Sequence, residues 1–266
     1  MSANVSDQFQ LVNEKGWRRG LGNLLLGEWS AWFKSSRWWK QLLMWFAIIN
    51  VMMGIMIIAS AKEGGDGPPL LLMYGIFGGM CVAIGVMIIM QRVLVREKQQ
   101  GTAAWALSKP VTRTAFVVSR LVVNSIAILL TAVIVPGLIL YISLGFSNLG
   151  WLSPLGFAAA LLMFILHTFY WIALVLMMGT LSESSSGVLG VPMALYFGFW
   201  LGTTMFPQLV YISPLSLTFV PTEFNSLAGS LMTGEPVFSW LPLIVSGVSC
   251  VIFIAVAIWR YNRQEF

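Results

Sequence analysis

Residues 121–182 read LVVNSIAILLTAVIVPGLILYISLGFSNLGWLSPLGFAAALLMFILHTFYWIALVLMMGTLS and contain no Asp, Glu, Lys or Arg. About 20 apolar residues span a bilayer as an α-helix, because a helical backbone satisfies its own hydrogen bonds in hydrocarbon. Over the whole chain, 58% of residues are hydrophobic, 9% are charged and the mean hydropathy is +0.84. A soluble domain carries about a quarter charged residues. The sequence therefore predicts an all-α integral membrane protein.

Outward from this stretch, apolar runs predict six transmembrane helices in a single membrane domain over residues 1–266. The helices are expected at 41–61, 70–90, 114–144, 155–181, 187–206 and 237–259. Pro136-Gly137 is expected to interrupt the third helix.

The basic residues predict the orientation. An even number of spans places both termini on one side, and 14 of the 15 Lys and Arg residues collect there, with only Lys62 opposite. The positive-inside rule therefore predicts cytoplasmic termini in a multi-pass protein of the cell inner (plasma) membrane. The net charge of +5 follows this distribution, so no nucleic-acid partner is expected.

Two segments lie outside the six-span pattern. Residues 17–38 place Leu and Trp on one helical face and polar residues on the other, which predicts an amphipathic helix in contact with interfacial lipids. Residues 207–236 are apolar but contain four prolines. They predict short extracytoplasmic helices that re-enter the outer leaflet, packed on protein.

A charged island separates the second and third apolar runs. Residues 96–113 read REKQQGTAAWALSKPVTR. The order of elements around this island resembles the ABC-2 type permeases, which are membrane subunits of ABC transporters. The motif that carries the resemblance consists of Glu97, Gly101-Thr102, Leu107-Ser108, Pro110-Val111 and Arg113, with Arg120 at the opening of the next span. Glu28 stands at the acidic position of the N-terminal helix of that family.

The resemblance implies that residues 96–109 form a coupling helix that docks onto an ABC ATPase subunit. Helical spacing places one set of side chains on a common face: Glu97, Gly101, Trp105 and Ser108. Thr102 and Arg113 complete the expected coupling set. The alternative is a tight charged loop that only maintains the topology.

The sequence lacks the G-x-x-x-x-G-K-[ST] phosphate-binding motif. We therefore expect no enzymatic activity in this chain and no cofactor of its own, with ATP and Mg bound by a separate ATPase. The resemblance also implies a second permease subunit, identical or homologous. Glu97 and Gly101 do not match the spacing in binding-protein-dependent importers, which favours export.

Two ionisable residues need partners in an apolar setting. Glu28 projects onto the apolar stripe of the predicted interfacial helix, which suggests an ion pair with Arg92 or Arg96, unless it reaches water. His167 is the only histidine and lies within the fourth run. A hydrogen bond between helices is favoured over a direct role in transport, and no metal site is expected.

In the resembling family, spans one and five of two protomers meet to form the substrate path. The corresponding candidates, with His167, are Trp45, Phe46, Asn50, Met53, Tyr196, Phe197, Trp200 and Thr203. Ordinary helix packing is the alternative for each. An apolar, aromatic lining favours a hydrophobic or amphipathic cargo: a drug, a peptide antibiotic or a lipid.

Two other functions stay open. A membrane sensor or scaffold subunit that does not transport would use the same fold. The 15 methionines also allow a copper-related permease, because thioethers bind copper(I), although methionine equally fills irregular packing gaps.

Overall fold

A computed structural model describes residues 16–62, 69–100, 111–147, 149–220 and 225–264. Within these ranges the regular elements are helices and none is a strand. In the described part of the chain, six helices are long and apolar enough to cross a membrane, which agrees with the predicted number. Spans one to six are Arg37–Lys62, Leu70–Gln99, Arg113–Gly145, Pro154–Leu181, Ser185–Met205 and Leu241–Asn262.

Span four forms the centre of the bundle. Of the residues in its most apolar stretch, 61% are buried, against 17% in span one. Span four packs against spans two, five and six. Span one lies at the periphery and contacts spans two and three. Gly85 of span two admits the ring of Trp45, since a Cβ at Gly85 would lie 2.3 Å from Trp45 Cη2.

Span two extends nine residues beyond the predicted end at residue 90. A turn at 91–94 leads into the short helix Val95–Gln99, so the helical segment continues through Arg96, Glu97 and Lys98. Charged residues end an apolar run without ending a helix, because they have good helix propensity. The membrane boundary and the helix boundary therefore differ here.

Span three passes through Pro136, and the expected interruption is wrong. A π-helical turn at Leu129–Ile134 directly precedes the helix Val135–Gly145, in which Pro136 occupies the first turn. Proline lacks an N–H and its ring collides with the carbonyl four residues earlier in a regular helix. The wider π turn makes room for the proline ring and does not need the missing N–H of Pro136. Spans one and two contain similar turns at Ala47–Val51 and Gly75–Cys81.

The N-terminal helix, Leu21–Phe33, is shorter than the predicted 17–38. A 3₁₀ turn at Gly16–Arg18 precedes it. Gly20, directly before the helix, has a φ of 80°, a backbone conformation that favours glycine. Its Trp32 is buried, whereas Trp29 faces outward. Arg37, expected at the end of this helix, instead begins span one.

The described part of the connection between spans five and six contains three short helices. They are 3₁₀ turns at Pro207–Tyr211 and Pro214–Leu217 and an α-helix at Leu227–Thr233. The α-helix Leu227–Thr233 packs on span four. The contact is close at Gly156, since a Cβ there would lie 2.4 Å from the Leu231 carbonyl oxygen. Span six begins at Leu241 rather than at 237. The depth of this segment in the membrane stays a prediction.

Candidate functional site

One end of the bundle carries most of the polar contacts between elements, and we call it the basic end. Lys98 Nζ donates to the Thr180 carbonyl at 3.1 Å, and Gln264 Nε2 donates to the same oxygen at 2.6 Å. Arg113 Nη1 donates to the Asn262 carbonyl at 2.9 Å. These bonds join the ends of spans two, four and six to the start of span three.

At the centre of the basic end, Arg120 of span three lies between two carboxylates. Its Nη2 is 2.5 Å from Glu97 Oε1, and its Nε donates to Glu97 Oε2 at 3.2 Å. Its Nη1 pairs with Glu28 Oε1. We call Glu28, Arg120 and Glu97 the junction, because one guanidinium joins the N-terminal helix, the end of span two and span three.

The junction is largely shielded from solvent. The side chains of Arg120, Glu28 and Glu97 are 12%, 22% and 20% exposed. The paired N–H groups of arginine match the two oxygens of a carboxylate, and such bidentate contacts are stronger and more directional than single hydrogen bonds. Lysine at position 120 would not reproduce this geometry.

A second polar contact fixes the N-terminal helix against span three. Trp32 Nε1 donates to Asn124 Oδ1 at 2.9 Å, and Asn124 Nδ2 donates to the Arg120 carbonyl at 2.7 Å. Trp32 is one helical turn after Glu28, and Asn124 is one turn after Arg120. The two contacts therefore occur in the same order along both helices, and together they set their register.

Aromatic rings extend the junction to span six. The Arg120 guanidinium lies 5.0 Å from the centroid of Phe116, and Phe116 stacks on Tyr261 of span six at 5.6 Å. An arginine over an aromatic face is attracted to the electrons of the ring. Movement of Arg120 would therefore displace groups on spans two, three and six and on the N-terminal helix.

The predicted partners of Glu28 were wrong. Neither Arg92 nor Arg96 pairs with it, and Glu28 contacts Arg120 instead. Packing of the N-terminal helix on span three brings Arg120 to Glu28, whereas Arg92 and Arg96 line an adjacent cavity. The contact between Trp32 and Asn124 sets the register of the N-terminal helix on span three, and this register places Glu28 beside Arg120.

The coupling residues divide between described and undescribed parts of the chain. Four of them lie outside the described residues: Gly101, Thr102, Trp105 and Ser108. Glu97 is turned toward Arg120, and Arg113 toward the end of span six. Thr112 caps span three by accepting the Ala115 N–H at 3.1 Å and donates to the Trp17 carbonyl at 2.5 Å.

The candidates for the substrate path divide by burial within the chain. Five have at most 1% exposure: Trp45, Met53, His167, Tyr196 and Thr203. Phe46 and Phe197 are exposed on the outer surface of spans one and five, and Asn50 and Trp200 are half-buried. The buried five pack in the interior of this chain, which is the alternative stated above. The path itself stays a prediction.

His167 anchors the connection between spans five and six. Its Nδ1 is 2.9 Å from the Pro214 carbonyl oxygen, so the ring donates from Nδ1 to this acceptor. This bond links span four to the short 3₁₀ helix Pro214–Leu217, and the backbone of Gly79 in span two also lies close to the ring. Close packing supports the contact, since a Cβ at Gly75 would lie 2.4 Å from the Thr218 carbonyl oxygen.

Sequence reasoning placed Arg120 at the opening of span three without a partner, and it did not single out Asn124. The available signal was isolation: Arg120 is the last charged residue before the charge-free stretch 121–182. An arginine at the edge of an apolar helix needs a carboxylate partner or access to water. The neighbouring sequence does not specify which carboxylate pairs with Arg120.

The fold and the junction define a six-span helical membrane protein with a polar basic end. The sequence model of the ABC-2 family transporter proteins matches residues 42–266, and the chain belongs to this family. It is therefore an ABC-2 type permease, a membrane subunit that associates with an ABC ATPase. Comparison with curated proteins gave no match. The N-terminal helix precedes the matched region, whereas Glu97 and Arg120 lie within it.

Proposed function

We propose that this permease exports a hydrophobic or amphipathic cargo from the cytoplasm or the inner leaflet. The candidate classes are drugs, peptide antibiotics and lipids. The distribution of basic residues supports cytoplasmic termini, which would place the basic end beside the ATPase. Phe46 and Phe197, exposed on spans one and five, support a path between two permease subunits, identical or homologous.

The junction is the observation that carries the proposed coupling. Residues 96–109 would dock on the ATPase, and their first turn already includes Glu97, which contacts Arg120. Displacement of this turn on ATP binding would act on span three through Arg120 and on the N-terminal helix through Glu28. The ATPase would bind ATP and Mg, and the permease would convert the closure of the ATPase into movement of the spans.

Docking and transmission would depend on different residues, so they are separable by experiment. Trp105→Ala tests docking, and Arg120→Gln tests transmission, with Arg19→Gln as the matched control. Arg19 is exposed at the same end and lies outside the junction. Each variant is purified from membranes with the candidate ATPase, and efflux of a hydrophobic dye is measured in reconstituted vesicles.

We expect Trp105→Ala to lose the ATPase, and Arg120→Gln to retain the ATPase but lose efflux. The control should match the wild type. Retention of ATPase by Trp105→Ala would place docking elsewhere. An assembled wild-type complex that hydrolyses ATP but moves none of the three cargo classes would support the sensor or scaffold function instead. Uptake rather than efflux would reverse the proposed direction.

A further inference from the structure

A cavity of about 640 Å³ opens beside the junction, between the N-terminal helix, the start of span one and the end of span two. Four basic side chains line it in addition to Arg120: Arg37 and Lys40 from span one, and Arg92 and Arg96 from span two. Its acidic lining consists of Glu28 and Glu97, both of which contact Arg120. The cavity therefore has an excess of positive charge.

The four added cations form no ion pair with a carboxylate of the described residues. Arg37 and Lys40 are one turn apart on span one, Arg92 and Arg96 are one turn apart on span two, and all four residues are exposed where they line the cavity. A cleft lined by charge of one sign concentrates ions of the opposite sign. The occupant that fits is an anion with several acceptor oxygens, such as a phosphate group.

The position of the cavity favours an anion that belongs to the membrane. Tryptophan prefers the headgroup level of a bilayer, and Trp29 and Trp39 are exposed on the helices that border the cavity. The apolar part of the wall includes Trp32 and, near the end of span two, Ile89 and Val93. A ligand with a phosphate and an apolar tail matches both parts of this lining.

Gln41 indicates which kind of phospholipid headgroup suits the cavity. Its Oε1 is buried in the cavity wall and accepts no hydrogen bond from the described residues. A buried carbonyl oxygen without a donor is unfavourable. A headgroup that carries hydroxyls would supply the donor, whereas a choline headgroup has none.

We propose that this cavity binds the phosphodiester headgroup of an anionic phospholipid, of the phosphatidylglycerol type, from the leaflet at the basic end. Arg92, Arg96 and Lys40 hold the phosphate, and Gln41 accepts a headgroup hydroxyl. The lipid is a resident ligand and not the exported cargo, so this inference stands independently of the proposed function. Its headgroup would lie against the same helices that Arg120 joins.

The test uses the full chain, purified in neutral detergent and titrated with phosphatidylglycerol or phosphatidylcholine under native mass spectrometry. The variant Arg92→Gln/Arg96→Gln removes two cations from the cavity. The matched control Arg19→Gln/Lys34→Gln removes two cations from the same end outside it. Each basic residue near a membrane surface adds severalfold to anionic lipid affinity, so the cavity variant should bind phosphatidylglycerol about thirtyfold more weakly.

We expect the wild type and the control to prefer phosphatidylglycerol, and the cavity variant to lose this preference. Equal weakening in both variants would mean that net charge alone attracts the lipid, which overturns the site. Displacement of the lipid by millimolar inorganic phosphate would assign the cavity to free phosphate and also overturn it. Thermal unfolding checks that the variants are folded, and Lys40→Gln provides a single-charge substitute if the double variant is not.

Discussion

Two connections in this bundle are held in place by different chemistry. At the basic end, Arg120 holds the N-terminal helix and the end of span two through charge. In the opposite half, the connection between spans five and six rests on close backbone contact at Gly75, with one hydrogen bond from His167. Charged contacts can be exchanged or shifted, whereas a close-packed contact tolerates little displacement. The difference suggests a movable basic end and a fixed opposite half.

The largest expected effect is at the close-packed contact. Gly75→Ala places a Cβ 2.4 Å from the Thr218 carbonyl oxygen, so backbone must shift. We expect a loss of about 3 kcal/mol in unfolding free energy, measured by denaturation in mixed micelles. Gly54→Ala in span one is the control, because no atom lies within 4 Å of its Cβ position. Equal stability of the two variants would contradict a fixed opposite half.

Next in size is the junction. Arg120→Gln removes the guanidinium that contacts both Glu28 and Glu97, and we expect a loss of about 2 kcal/mol, below that of a fully buried pair because of partial exposure. The same denaturation measurement applies. Reversing all three charges, with Glu28→Arg, Glu97→Arg and Arg120→Glu, should recover part of the loss. Failure to recover any stability would show that charge is not the main contribution.

A smaller effect is expected at the second polar contact. Trp32→Phe keeps an aromatic ring but removes the donor to Asn124 Oδ1, which costs about 1 kcal/mol. Amide hydrogen exchange should increase in the N-terminal helix and remain unchanged in the Pro214–Leu217 turn. Faster exchange in both places would mean that the two halves are not independent.

The smallest effect is expected at His167. His167→Phe removes the bond to the Pro214 carbonyl, and polar contacts between membrane helices average about 0.6 kcal/mol. Exchange should increase in the Pro214–Leu217 turn and not in the N-terminal helix, which is the reverse of the Trp32→Phe pattern. Unchanged exchange in the turn would show that close packing alone holds it.

The six spans were predictable because each contains a long apolar run, and bilayer thickness sets the length of that run. Their ends were less predictable, because Arg96 and Glu97 end the apolar run while the helical segment continues to Gln99. The prediction at Pro136 failed because a π turn in the preceding residues depends on helix packing, which local propensity does not encode.

The candidate site was predicted in part. Glu28 and Glu97 were identified as charged groups in need of a function, but their common partner Arg120 depends on the register between the N-terminal helix and span three. That register follows from tertiary contacts such as Trp32 to Asn124. His167 was correctly expected to make a hydrogen bond, but its acceptor lies 47 residues away in a connecting turn.

The π turns in spans one, two and three have a consequence for insertions and deletions. A π turn contains about one residue more than an α-helical turn, and each residue of a regular helix rotates the chain by about 100°. Deleting one residue from Leu129–Ile134 would therefore restore a regular α-helical turn and keep the two flanking faces of span three in place, whereas a deletion from a regular part of the span would turn them by about 100°. Substitution scanning would not detect this difference, whereas single-residue deletions would reveal it.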